Sequence, residues 1–237
     1  HFFGVNSKEV QDTYMRLDED LARLLRALDR QVGEGAYTLF LTADHGAGQV
    51  PAYMQDLNVP GGYLDSEAMA TRFREFLEYT YGTTDLVMHS SNNQIFLDHD
   101  LIRNLDLEAD DVQETLAAEL IGYEGIYKVY TAQQMMETEY LEGLPAILQN
   151  GYNQKRSGDL LLVHEPSLIQ YSRTGSTHGS PHIYDTHVPL LFYGNGIRRG
   201  ELYRKTYIRD IAPTLATLLG IAFPNGTTGI PIPEVLD

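Results

Sequence analysis

The chain has 237 residues and a formal charge of −16, from 33 acidic against 17 basic side chains. Such a surface repels nucleic-acid phosphates, which excludes a DNA- or RNA-binding module and a basic membrane-surface protein. Apolar residues at 43% are enough for a substantial core, and the lack of any cysteine excludes disulfides, thiolate metal ligands and a cysteine nucleophile. No apolar run approaches the roughly 18 residues of a transmembrane helix. No signal peptide is visible, and the first residue is His1 in place of Met, so the natural N-terminus is expected to lie elsewhere.

The pattern at the start predicts a helix. Asn6 with Glu9 three residues on reads as a capping box. Val10, Tyr14, Leu17, Leu21, Leu24, Leu25 and Leu28 then recur in steps of three and four, one apolar stripe, and Gly33 and Gly35 mark the stop. Residues 37–42 are short, apolar and β-prone and predict a buried strand. Residues 51–155 differ in character and read as a small α+β insertion. Its elements are a helix over 67–79, a strand over 94–97, an acidic helix over 107–120 and a strand over 125–130. The main sheet is expected to resume at 159–163. A polar loop over 172–185 follows, then a buried strand over 188–193 closed by Gly194 and Gly196, and a last helix over 209–219 stopped by Gly220. The expected division is therefore a core of 1–50 and 156–237 with an inserted cap of 51–155.

Chemistry concentrates in two places. Asp44-His45-Gly46 follows the strand at 37–42, and ligands in open α/β sheets bind beyond the carboxyl ends of strands. A carboxylate beside an imidazole can ligate a divalent metal, and Gly46 allows a sharp turn that faces both at one ion. The tripeptide alone fits a turn Asp and a surface His equally well. The second place holds His178, His182 and His187 within ten residues of a Gly/Ser/Pro-rich loop. Imidazole is the commonest protein ligand for zinc; the plainer alternative is a solvated loop, with His187 simply bonding backbone beside the next strand. His1, next to two phenylalanines, carries no signal by itself.

Taken together, HFFGVNSKEVQDTYMRLDEDL, LFLTADHGA, STHGSPHIYDTHVPLLFYGNGI and DIAPTLATLLGI resemble the alkaline phosphatase superfamily. The similarity is to the type I phosphodiesterase/nucleotide pyrophosphatase group and the bacterial alkaline phosphatases with a threonine nucleophile. The segments span nearly the whole chain in the family's order. The resemblance implies an α/β fold with a mainly parallel sheet sandwiched by helices and a small inserted cap. It implies a centre of two zinc ions that cleaves phosphate esters, monoester or nucleotide-type diester, through a phospho-enzyme. His1 and Gly4 match the end of the motif Asp-x-x-Gly-His-x-x-Gly, so His1 is the implied ligand of one metal together with His178. Asp44 and His45 match the pair on the other metal. Asp185, His187 and His182 are implied as supports around those ligands and not as ligands.

The nucleophile, the first metal-binding Asp and the groups that contact phosphate oxygens fall upstream in that family. This chain is therefore expected to be the C-terminal part, with little activity by itself. The implied substrate is a small phosphate ester or nucleotide-like molecule, and the implied setting is periplasmic or extracellular. A sulfatase-like ester hydrolase of the same superfamily and a non-catalytic binding remnant are the alternatives. Intact His1, Asp44, His45 and His178 weigh against the remnant.

Overall fold

The structure, a computed structural model, describes residues 2–170 and 173–236. His1 and the first residue of the polar loop, Ser172, lie outside the described residues. In chain order the elements are α1 (Lys8–Gln31), β1 (Thr38–Thr42), α2 (Pro51–Asp56), β2 (Gly62–Tyr63), α3 (Ser66–Tyr81), β3 (Val87–Ser91), β4 (Gln94–Leu97) and α4 (His99–Asn104). There follow α5 (Ala109–Leu120), β5 (Ile126–Thr131), α6 (Ala132–Glu137), α7 (Gly143–Gly151), β6 (Leu160–His164), β7 (Leu168–Ile169), α8 (Ile183–Thr186), β8 (Leu190–Gly194) and α9 (Ile211–Leu219). They gather into two compact units, one of residues 1–7 and 45–186, the other of 8–44 and 187–237. Residues 156–186 thus lie with 45–155.

In the smaller unit β1 and β8 pair antiparallel from Thr38 opposite Gly194 to Thr42 opposite Leu190. Gly194 at the turn cannot carry a side chain: its φ is +108°, and a Cβ would lie 2.1 Å from the carbonyl oxygen of Tyr37. The helix α1 has the predicted stripe, yet none of its residues is buried; Leu21, Leu25 and Leu28 are half-buried. Its first helical residue is Lys8, so the capping position falls at Ser7, one residue later than the sequence suggested. Asn6 spends its amide on Gln49 Oε1 at 3.1 Å instead. At the other end, Asp210 and Thr214 staple the start of α9 to the C-terminal segment. Asp210 accepts from the Tyr207 and Ile230 amides, both at 2.9 Å, and Thr214 Oγ1 accepts from the Ile232 amide at 2.9 Å. Both side chains are buried, and these bonds satisfy polar atoms that would otherwise cost stability there.

The larger unit is built on a four-stranded antiparallel sheet in the order β3-β4-β6-β5. Phe73 and Leu77 of α3 and Val112, Leu116 and Leu120 of α5 pack with Ile95, Leu97 and Leu160 of the sheet into its core. Asp65 caps α3 by accepting from the Ala68 amide, and Gly82, left-handed at φ 71°, ends it. The β3–β4 hairpin turns on Asn92 and Asn93 at φ +50° and +58°, the left-handed pair that a two-residue hairpin loop requires.

Two expectations change here. The apolar run Leu160–His164, read as the resumption of the main sheet, pairs with β4 and β5 inside the larger unit. A strand buried on both faces reveals from its sequence that it is interior, but not which sheet it belongs to. Parallel pairing, expected to dominate, is confined among the described strands to the short β2–β7 pair. Replacing Leu116, which is fully buried, by Ala is expected to cost about 2–5 kcal/mol through lost burial and a residual cavity. Urea unfolding of the two proteins measures it, and a loss near zero would contradict the packing of α5 described here.

Candidate functional site

The site grows out of a crossing of two loops within the larger unit. The segment 45–48 runs against the segment 176–185 and is tied to it three times. The Gly46 amide donates to the Asp185 carbonyl at 2.7 Å, and the Gly48 amide donates to the Thr177 carbonyl at 3.3 Å. The Ser176 hydroxyl donates to the Gly48 carbonyl. A Cβ on Gly46 would sit 2.1 Å from the Tyr184 carbonyl oxygen, so this residue is glycine because another backbone passes where a side chain would be. That differs from the sharp turn expected of it: Gly46 is not among the left-handed glycines.

The crossing brings His45 and His178 face to face. Their ring centroids are 3.5 Å apart and their planes 11° from parallel. His45 Nδ1 lies 2.7 Å from the Gly46 carbonyl oxygen, which can only accept, so Nδ1 carries a proton. A ring N–H held by a backbone carbonyl is a common support of a metal-binding imidazole. A metal lies close to the plane of the ring that binds it. Two parallel rings stacked at 3.5 Å could each present a ring nitrogen to a metal.

The loop around His178 is pinned from below. Asp185 is buried, and its Oδ2 accepts from the Ser180 amide at 2.8 Å and from the Ser180 hydroxyl at 2.7 Å. Its Oδ1 is buried with no hydrogen-bond partner among the described residues. His182, also buried, donates Nε2–H to the His164 carbonyl at 2.9 Å, which fastens the loop to β6. Burial pushes the His164 imidazole below its ordinary value, against the opposing pull of a hydrogen bond to the Gly125 backbone, so it is neutral near pH 7.

The other sequence candidates fall elsewhere. Asp44 is exposed two residues past β1, at the end of 8–44, the residue before His45 in the chain. His187 is exposed before β8 and belongs to the smaller unit. His1 lies outside the described residues. Among the described residues no group of three or more His, Asp or Glu side chains is gathered as a metal would need.

Residues 1–187 match the family of type I phosphodiesterases and nucleotide pyrophosphatases. The chain belongs to that family. It is 40% identical, over all of its own length and 44% of the relative's, to a Myroides odoratus protein named calcium-transporting ATPase. It is 39% identical, over 100% of its length and 43% of the relative's, to alkaline phosphatase PafA of Elizabethkingia meningoseptica. The crystal structure of wild-type alkaline phosphatase PafA superposes with a TM-score of 0.92 at 39% identity, covering 100% of this chain and 45% of that one. The chain thus spans less than half the length of these relatives. The alkaline phosphatase-like α/β fold expected from the sequence is shared with that structure. Within this family fold the sequence reading found both stacked histidines. It missed Ser180 and the Ser176 and Gly48 contacts, for which the repeated small residues on both loops were the available signal.

Gly46→Ala is expected to force the two loops apart. It should destabilise the protein by about 1–3 kcal/mol, the usual range for overpacking, and unstack His45 from His178. Urea unfolding and the histidine ring resonances in NMR measure the two effects; a variant with wild-type stability and unchanged His45 and His178 signals would contradict the close approach.

Proposed function

We propose that this chain contributes ligands to a two-zinc centre that hydrolyses phosphate esters. The observation that carries the reading is the stacked pair His45 and His178, with the His45 tautomer set by the Gly46 carbonyl. His45 Nε2 and the Asp44 carboxylate are assigned to one ion, His178 and His1 to the other. When bound, two such ions supply Lewis-acid stabilisation to the attacking and leaving oxygens of an in-line displacement at phosphorus.

The chain's own residues orient and hold. The Gly46 carbonyl keeps the proton on His45 Nδ1. The Ser180–Asp185 bonds and the His182–His164 bond fix the loop from which His178 projects. The reading assigns metal ligands to this chain and no nucleophile. Phosphate is preferred to sulfate as the ester because the relatives' names, an ATPase and an alkaline phosphatase, have phosphate hydrolysis in common. No helix among the described residues is long and apolar enough to cross a membrane.

Zinc per chain, measured by plasma mass spectrometry after dialysis, tests the proposal. His45→Ala and His178→Ala should each lower it. His89→Ala should not, since His89 stacks on Phe96 and is assigned to neither ion. Zinc content that is the same in all four proteins would overturn the ligand assignment.

A further inference from the structure

Beside His178 the larger unit contains a cleft of about 920 Å³, bordered by His178, Gly179 and Ser180 at one end. Its size is that of a site for an organic ligand. One wall is apolar and half-open: Met69 from α3, with Leu162 and Leu168 from β6 and β7. The opposite lip is neutral and polar, from Ser90, Ser91, Asn92 and Asn93 of the hairpin. Among the described residues the lining carries the carboxylates Asp85, Glu165 and Asp185 and one guanidinium, Arg74. Arg74 is itself engaged, donating to the Ala70 carbonyl at 3.1 Å and to Thr71 Oγ1 at 3.4 Å.

These features select a chemical class. An apolar wall gains from covering an apolar body. Away from the His178 end, a second phosphate would meet more negative than positive side-chain charge and lose its water there without adequate compensation. Asp185 Oδ1, buried at the cleft and lacking a partner among the described residues, offers an acceptor to a ligand's O–H or N–H.

We propose, resting on the hydrolase reading above, that this cleft seats the leaving alcohol of the phosphate ester, and that the alcohol is an apolar one with a hydrogen-bond donor and no further phosphate. The phosphoryl group then lies at the His178 end and the alcohol extends along α3 and the hairpin.

The test separates the alcohol seat from the metal centre by using the alcohol alone. 1-Naphthol is titrated by calorimetry into the wild type and into Ala70→Trp. Ala70 is exposed on α3 and lines the cleft, so an indole there narrows the cleft without entering the core. Saturable binding to the wild type is expected, weakened about tenfold or more by Ala70→Trp. ATP at the same concentration should fail to displace the naphthol. No saturable binding, equal binding by Ala70→Trp, or displacement by ATP would each overturn the inference. Naphthol binding that behaves as expected alongside zinc content indifferent to His45 and His178 would instead overturn the hydrolase reading and with it the assignment of the cleft to a leaving group.

Discussion

The site depends on the close passage of Gly46 against the Tyr184–Asp185 backbone. With a side chain at residue 46 the two segments could not approach, the 2.7 Å bond from the Gly46 amide to the Asp185 carbonyl could not form, and His45 would have no reason to meet His178. Everything else at the site secures one side or the other of that crossing. Ser176 and Thr177 grip Gly48. Asp185 gathers the loop through Ser180, and His182 anchors it to the C-terminal end of β6. Short polar bonds and glycines do this work because two backbones at such distance leave no room for larger groups.

Much of this was legible in the sequence because its signals are local. A stripe in steps of three and four predicts α1, and the structure has a helix over Lys8–Gln31. The runs at 94–97 and 125–130 predict strands, and β4 and β5 lie there within a residue. Histidines set among glycines at a strand end drew attention to His45 and His178, which the structure stacks. What was not legible is pairing across distance. Leu160–His164 shows an interior strand by composition, while its partners β4 and β5 lie far away in sequence. The strand β3 is mostly exposed and reads Val-Met-His-Ser-Ser, too weak a pattern to recognise without its hairpin partner. Asn6 looked like a helix cap, and a long-range bond to Gln49 took it instead.

The charge of the chain fits the same account. A formal charge of −16 disfavours polyanionic partners but is no obstacle to divalent cations, whose charge a carboxylate-rich protein offsets. The cleft beside His178 repeats that bias on a small scale: among the described residues, acidic groups outnumber the one arginine along an apolar wall. A small ester with an uncharged organic portion suits both the surface and the cleft, whereas a polyphosphate suits neither.

The central claim is that His45 and His178 serve two separate ions. Crystals grown with zinc and measured at the zinc absorption edge test it most directly, because anomalous scattering locates each ion independently of the protein. The account predicts two peaks about 3.5–4 Å apart, one in the plane of each imidazole. A single ion bound by both rings, or zinc bound to neither, would contradict it.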